Sequence, residues 1–276
     1  MVSNPVSTYP LATGEIAAAR LALIECVCGP LGRGVMRSLG VLPGMRVADI
    51  GCGTGETTRW LASQVGQRGE VAAVDFSADQ LQVARKRLDL EGHRNVRLIE
   101  ASAYSTGLPK AAFDMVHCRF LLCHLERPAE ALEEMASLVR PGGWVVCLDF
   151  DVRGLQAYPP VACYARMRAL IETNGRGRKV DYEIAVKLPS MLASVGLANI
   201  DVQCFQPAYL RGEEKRLWEY TFMEASPTMV AAGHISAVEL AQLARELGVA
   251  AEDERLMVVH PLYAVSWGQR PRPDQR

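Results

Sequence analysis

The chain has 276 residues, and its 30 lysines and arginines nearly balance 31 aspartates and glutamates, for a formal net charge of -1 and a pI near 6.5. No basic surplus is left to neutralise a phosphate backbone, which argues against nucleic acid as a substrate. The length suits one α/β domain with insertions, well above the size at which core burial becomes marginal, and no apolar run approaches membrane-spanning length. The start of the chain has no basic leader before an apolar run, so a soluble, cytoplasmic protein is expected. Eight cysteines without a CxxC pair read as buried thiols in a reducing compartment, neither disulfides nor zinc ligands.

The first forty or so residues are helical in character. Ile16, Leu23, Ile24, Val27 and Leu31 recur at helical spacing and form an apolar stripe, which Gly29-Pro30 is expected to interrupt. Such a helix covers one face of a sheet, and it is also the kind of element that exchanges between subunits, so a homo-oligomer is an open expectation.

Residues 45–55, MRVADIGCGTG, organise the rest. Residues 46–50 suit a strand buried between helices, and Gly51, Gly53 and Gly55 then force a sharp turn without side chains in a ligand's way. Trp60, Leu61 and Val65 follow at helical spacing, so the loop feeds a helix whose N-terminal amides face whatever lies over the glycines. Residues 69–75, GEVAAVD, read as a second buried strand ending in Asp75, placed to accept both hydroxyl hydrogens of a ribose. A dinucleotide fingerprint would have glycine where Glu56 stands, and a carboxylate there repels a pyrophosphate but tolerates a cation. With Asp49 beside it, the pair suits an ammonium and a sulfonium, and so S-adenosyl-L-methionine.

Further along, Ser77 to Gln80 has the S-x-x-Q form of a capping box and sets Phe76 and Gln80 beside the ribose carboxylate. Strands are expected at 96–100, 113–118 and 144–150, with a helix from Pro128 to Arg140 stopped by Pro141-Gly142-Gly143. Residues 151–182 loosen, with a short helix around 164–171 and a mobile basic NGRGRK at 174–179. A helix at 183–195 and a strand at 199–205 follow, then an irregular section at 206–233 and a last strand at 254–267. Aromatics and methionines of that section (Tyr209, Trp218, Tyr220, Phe222, Met223, Met229) are either core filler or the wall of a pocket for a flat or isoprenoid-like apolar substrate.

VADIGCGTG resembles the first motif of the class I S-adenosylmethionine-dependent methyltransferases, VAAVDFS the second, and LVRPGGWVVCLDF the turn and fifth strand after the fourth helix. FDMVHCRFLLCHL resembles the fourth strand and its exit in the branch containing quinone-biosynthesis and bacterial secondary-metabolite enzymes. The resemblance implies a Rossmann-like seven-stranded sheet flanked by helices: an N-terminal helical cap over 1–42, and a methyltransferase domain over 43–276 with lid insertions near 151–182 and 206–233. It implies binding of S-adenosyl-L-methionine, with S-adenosyl-L-homocysteine as product, through Asp49, Gly51, Cys52, Gly53, Gly55, Asp75, Phe76 and Gln80. Tyr9 and Arg20 of the cap are candidates for the methionine end, as are Cys118 and Arg119 at the exit of the fourth strand. Ser102 stands where the family usually has an acidic residue against the adenine amine, so Ser102 and Ala103 would frame the base without the charge-assisted bond.

Methyl transfer from a sulfonium needs alignment, desolvation and, for some acceptors, a base. His124, a few residues past the fourth strand, is the candidate catalytic base, against the alternative of a histidine that packs and bonds locally; His117 is expected to be structural. The acceptor is expected to be a small, largely apolar metabolite, its accepting carbon, nitrogen or oxygen left open. Two other classes stay open: a nicotinamide-dependent reductase, which Glu56 and the lack of any Tyr-x-x-x-Lys oppose, and a methyltransferase-like cyclase or binding protein that keeps the cofactor.

Overall fold

The computed structural model describes residues 18–273; Tyr9 and Ile16 lie outside them. Helix α1 (Ala18–Ser38) runs through Gly29-Pro30 without ending. Proline removes one helical hydrogen bond, but Val27, Cys28, Val35 and Met36 are buried on either side of it, and their packing holds the helix together. The elements that follow are β1 (Arg46–Ile50), α2 (Glu56–Val65), β2 (Glu70–Asp75), α3 (Ala78–Leu90), β3 (Val96–Glu100), β4 (Phe113–Arg119), α4 (Pro128–Leu138) and β5 (Val139–Asp151). After them come β6 (Gln156–Tyr158), α5 (Ala162–Gly177), α6 (Leu188–Ser194), β7 (Ala198–Phe205), β8 (Ala208–Tyr209), α7 (Leu217–Ala231), α8 (Ala237–Glu252), β9 (Met257–Val259) and β10 (Leu262–Gln269).

Seven strands form one sheet in the order β3-β2-β1-β4-β5-β10-β7, with β1 to β5 parallel and β10 antiparallel to both its neighbours. This is the expected Rossmann-like α/β sheet. Strand order reverses between β1 and β4, so right-handed crossovers place α2 and α3 on one face and α4 on the other. The carboxyl ends of β1 and β4 therefore face a crevice that neither helix layer covers, the place where open α/β sheets bind ligands. A three-stranded sheet, β6-β9-β8, sits apart from the main one.

The expected loose sections are more ordered than their sequence suggested. Residues 162–177 form one helix of 16 residues, in which Asn174 and Gly175 of the NGRGRK run are buried in the last turns. A Cβ on Gly175 would lie 2.8 Å from the ring of Tyr182, so that glycine lets the ring rest against the helix. Residues 206–233 contain the 15-residue helix α7, which carries Pro227 and buries Trp218, Phe222 and Met229. Its apolar residues surround the helix instead of forming a stripe, which hid the period. Pro141-Gly142-Gly143 falls inside β5, within a shift in its register with β4, and α4 has already ended at Leu138. The expected helix at 183–195 begins as a 3₁₀ turn before α6, and the last strand is split by His260-Pro261 into β9 and β10. Among the cysteines, Cys26 and Cys204 are exposed, contrary to the expectation of burial; the other six are buried.

Candidate active site at the reversal of strand order

A cavity of about 1270 Å³ opens over the carboxyl ends of β1, β2 and β4. One end is polar. Gly51, Gly53 and Gly55 turn there with φ of +71°, +54° and +82°, angles that favour glycine. Leu121, from the turn after β4, lies against Gly51, where a Cβ would approach it to 2.9 Å, whereas a Cβ on Gly53 would meet nothing within 4 Å. Gly53 thus leaves its backbone open to a ligand. Asp75 is fixed by the loop it faces: Gly53 N donates to Oδ2 at 2.8 Å and Ser77 N to Oδ1 at 2.9 Å. Burial pushes the Asp75 carboxyl above the usual range, opposed by these backbone donors and that of Phe76.

Gln80 and Thr54 border the same end and are 6% and 2% exposed, yet Gln80 Oε1 and Thr54 Oγ1 have no hydrogen-bond partner among the described residues. Buried polar atoms without partners are costly, so this end is built to receive polar groups. The capping box is only half formed: Ser77 Oγ accepts from Gln80 N at 3.4 Å, while the Gln80 side chain faces the cavity. Phe76, 58% exposed at the rim, offers a flat face beside Asp75.

Not every expected contact is there. Gly55 is absent from the cavity wall; a Cβ on it would lie 3.1 Å from Ala84, so it serves the packing of α2 on α3. Cys118 is fully buried within β4 and also absent from the wall, because its side chain belongs to the hydrophobic core, beside Cys147 of β5. Glu56 borders the cavity, but its carboxylate pairs with Arg59 at 3.1 Å and with Arg87, so its charge is already answered. Asp49 accepts from Thr58 Oγ1 at 2.6 Å and from His117 Nδ1 at 3.0 Å. Asp49 and Glu56 thus both border the cavity, as expected of residues facing a ligand, while their carboxylates also hold the loop and helix in place. His117 is 1% exposed and structural, as expected.

Arg20, Cys52, Ser102, Ala103 and Arg119 do border the cavity. Arg119 pairs with Glu25 of α1, and Arg20 donates Nε to Glu224 of α7 at 2.8 Å, so both cations also fasten α1 over the site. Ser102 Oγ accepts from Tyr104 N at 3.2 Å. Sequence reasoning passed over Glu100 and Tyr104, which line the wall; Arg127 lies 4.6 Å above the Tyr104 ring. Their only signal was position, at and after the end of the strand beside β2.

The other end of the cavity is aromatic. Phe150 lies 5.9 Å from Tyr182, 5.0 Å from Trp218 and 5.8 Å from Phe120, and Phe120 lies 5.9 Å from Tyr263, between ring centroids. Trp218 Nε1 donates to Tyr263 Oη at 2.9 Å, so the indole is held in one orientation. His124 stands between the two ends, in the turn that carries Leu121, with its ring 5.6 Å from Tyr182. Burial pushes its pKa down to about 3, helped by the charges of Arg178 and Arg20. The imidazole is therefore neutral at physiological pH.

Under that turn lies Asp149, fully buried, which accepts from Cys123 N at 3.2 Å. Burial raises its pKa from 3.8 to about 7. Below pH 3.8 both folded and unfolded forms are protonated; between 3.8 and 7 only the folded form holds the proton, so stability falls as pH rises. His124 acts in the opposite sense, adding stability above its ordinary 6.5 that is lost as pH falls towards 3. Urea denaturation at several pH values is expected to show Asp149→Asn gaining stability relative to the parent chain from pH 4 to 7, by a few kcal/mol in total at about 1.4 kcal/mol per pH unit at most. A constant difference would refute the burial argument for Asp149.

Comparison with known proteins agrees with this geometry. Residues 47–143 match the family model described as a methyltransferase domain. The demethylmenaquinone methyltransferase of Staphylococcus aureus is 35% identical over 136 residues, which are 49% of this chain and 53% of that protein. The chain thus spans about half the length of the curated relatives it matches. Among solved structures, phosphoethanolamine N-methyltransferase 2 of Haemonchus contortus, in complex with S-adenosyl-L-methionine, superposes with a TM-score of 0.59 at 17% identity, over 94% of this chain and 59% of that one. The [4+2]-cyclase SpnF superposes with a TM-score of 0.55 at 18% identity, over 96% and 99%. These two likenesses concern the fold.

Proposed function

We propose, from the match of residues 47–143 to the methyltransferase-domain family model and from the demethylmenaquinone methyltransferase relatives, that this chain is an S-adenosylmethionine-dependent methyltransferase of a small, largely apolar, ring-bearing metabolite. The observation that carries the reading is the continuity of one cavity from the glycine turn and Asp75 to the cluster of Phe120, Phe150, Tyr182, Trp218 and Tyr263. The donor set fits S-adenosyl-L-methionine: Asp75 for the ribose hydroxyls, Phe76 for a face of the base, Gly51 to Gly53 for close approach, and the unpartnered Thr54 and Gln80 oxygens for polar hydrogens. When bound, that molecule supplies an electrophilic methyl group on a positive sulfur.

The chain's own residues then do three things. The Gly51 turn and Leu121 set the depth at which the ligand rests, fixing one reactant. The aromatic end receives the acceptor's apolar body and excludes water from the reacting pair. His124, neutral and at the junction, is placed to take a proton from an acceptor hydroxyl or acidic carbon. Its lowered pKa makes it a weak base, so His124 can serve only an acceptor hydroxyl that the same charges of Arg178 and Arg20 make more acidic. The quinone chemistry in the name of the S. aureus relative supports a ring substrate. A role in secondary metabolism belongs to this same proposal.

The test is transfer of labelled methyl from S-adenosyl-L-methionine to a panel of phenols, hydroquinones and amines. Label in a ring product supports the reading; cofactor binding with no label in any product, even at long incubation, would move the chain to the cyclase-like alternative. His124→Ala is expected to lower kcat by about a hundredfold, the usual scale of general-base loss, with S-adenosyl-L-homocysteine affinity kept. Unchanged turnover would dismiss His124 as the base.

A further inference from the structure

Asn174 stands in the last turn of helix α5 and Arg178 just past its end, one turn apart, and both line the cavity, Arg178 beside Tyr182 of the aromatic end. Asn174 is 2% exposed, and its Nδ2 has no hydrogen-bond partner among the described residues. A buried amide nitrogen with two unused donors, in a pocket lined largely by aromatic and aliphatic side chains, is expensive unless a ligand supplies an acceptor. Arg178 brings a cation to the same end and donates to Tyr182 Oη at 2.9 Å. Tyr182 in turn lies against Gly175, stacked on Phe150 at 24°. Ring surface, an amide donor and a guanidinium thus converge on one short stretch of helix, with donors the common feature of its polar groups.

Resting on the proposed function, we infer that Asn174 is the specificity-determining residue of the acceptor site: its Nδ2 donates to a carbonyl or phenolic oxygen borne by a conjugated ring stacked among Phe150, Tyr182 and Trp218. Arg178 offsets negative charge that gathers on that oxygen. The field of Arg178 and Arg20, which helps keep the His124 imidazole neutral, favours the anionic form of such a ring for the same reason. A hydrocarbon ring of equal size would leave the Asn174 amide buried and unanswered. Discrimination therefore falls on the oxygen more than on the apolar body, since a site built around a hydrogen bond rejects an analogue that lacks the partner.

The probes are 2,3-dimethyl-1,4-naphthoquinone, whose oxygens only accept and whose ring is blocked against thiol addition, and 2,3-dimethylnaphthalene of similar shape. Binding is read by tryptophan fluorescence with and without S-adenosyl-L-homocysteine. The parent chain is expected to bind the quinone about tenfold or more tightly than the hydrocarbon, the effect of one well-made hydrogen bond at a buried site. Asn174→Ala is expected to abolish that preference while leaving hydrocarbon affinity within about threefold, which also shows the pocket intact. Asn174→Asp, which removes the donors and keeps the shape, should lose the preference as well. Equal binding of both rings, binding of neither, or a preference that survives in both variants would overturn the inference. Uptake of S-adenosyl-L-homocysteine is scored separately: its absence strikes the cofactor reading of the glycine end, whereas the ring preference is judged by the ring titrations alone.

Discussion

Replacing Asp75 by asparagine is expected to weaken S-adenosyl-L-homocysteine binding by about a hundredfold, measured by calorimetric titration. The two carboxylate oxygens both accept backbone hydrogens, from Gly53 and Ser77. An amide has only one acceptor oxygen, so in asparagine one of those backbone donors would face an NH₂ group. The substitution therefore disturbs the glycine turn as well as the ribose contact. Charge-assisted bonds contribute roughly 1.5–3 kcal/mol each, and about 1.4 kcal/mol is tenfold in affinity, so losing one or two of them gives the stated factor. The unliganded variant should unfold within a few degrees of the parent, because Asp75 stands at the end of its strand and beside the cavity. An affinity within threefold of the parent would remove the ribose role of Asp75 and with it the basis for placing a nucleoside over this turn.

The second large effect is one of stability. Asp49→Ala is expected to lower the melting temperature by about 10 °C or more. His117 Nδ1 and Thr58 Oγ1 both depend on the Asp49 carboxylate, and all three groups are nearly inaccessible to solvent. Removing one partner of a buried polar set typically costs 3–5 kcal/mol, and each kcal/mol shifts the midpoint of a chain this size by about 2–4 °C. The double replacement Asp49→Ala with His117→Leu should recover part of the loss, since no buried imidazole is then left without its acceptor. A melting point unchanged in the single variant would mean that water or relaxation satisfies His117, and that the triad does not hold β1, β4 and α2 together.

The cofactor half of the site was legible because its signals are local. Glycines at alternate positions, a carboxylate at the end of the next strand and buried apolar runs each follow from neighbours in sequence. Those signals placed β1 to β4 and α2 within a residue or two. The bracing roles of Glu56 and Asp49 were not legible, because their partners Arg87 and His117 lie 31 and 68 residues away. Helix α8 was overlooked although Ser236 and Glu239 form a full capping box. The acceptor pocket was legible only in part: Trp218, Phe222 and Met229 of the candidate wall do line the cavity, but Phe120, Phe150, Tyr182 and Tyr263 come from four other segments, and Asn174 sits in a run whose glycines and charges resemble a loop. Burial of a polar amide is a property of the folded chain, and no pattern of residues announces it.

The placement of β10 carries a consequence for how this sheet is assembled. Residues 262–269 come after every other strand of the sheet, yet they occupy an interior position between β5 and β7. During synthesis the long apolar β5 must wait with one hydrogen-bonding side exposed, and β7 has no neighbour to join until the final strand arrives. Contacts of such long sequence separation slow folding, and an open edge in the meantime invites pairing between chains. Chaperone dependence in the cell, and aggregation of any version cut before residue 262, are what this ordering of the strands entails.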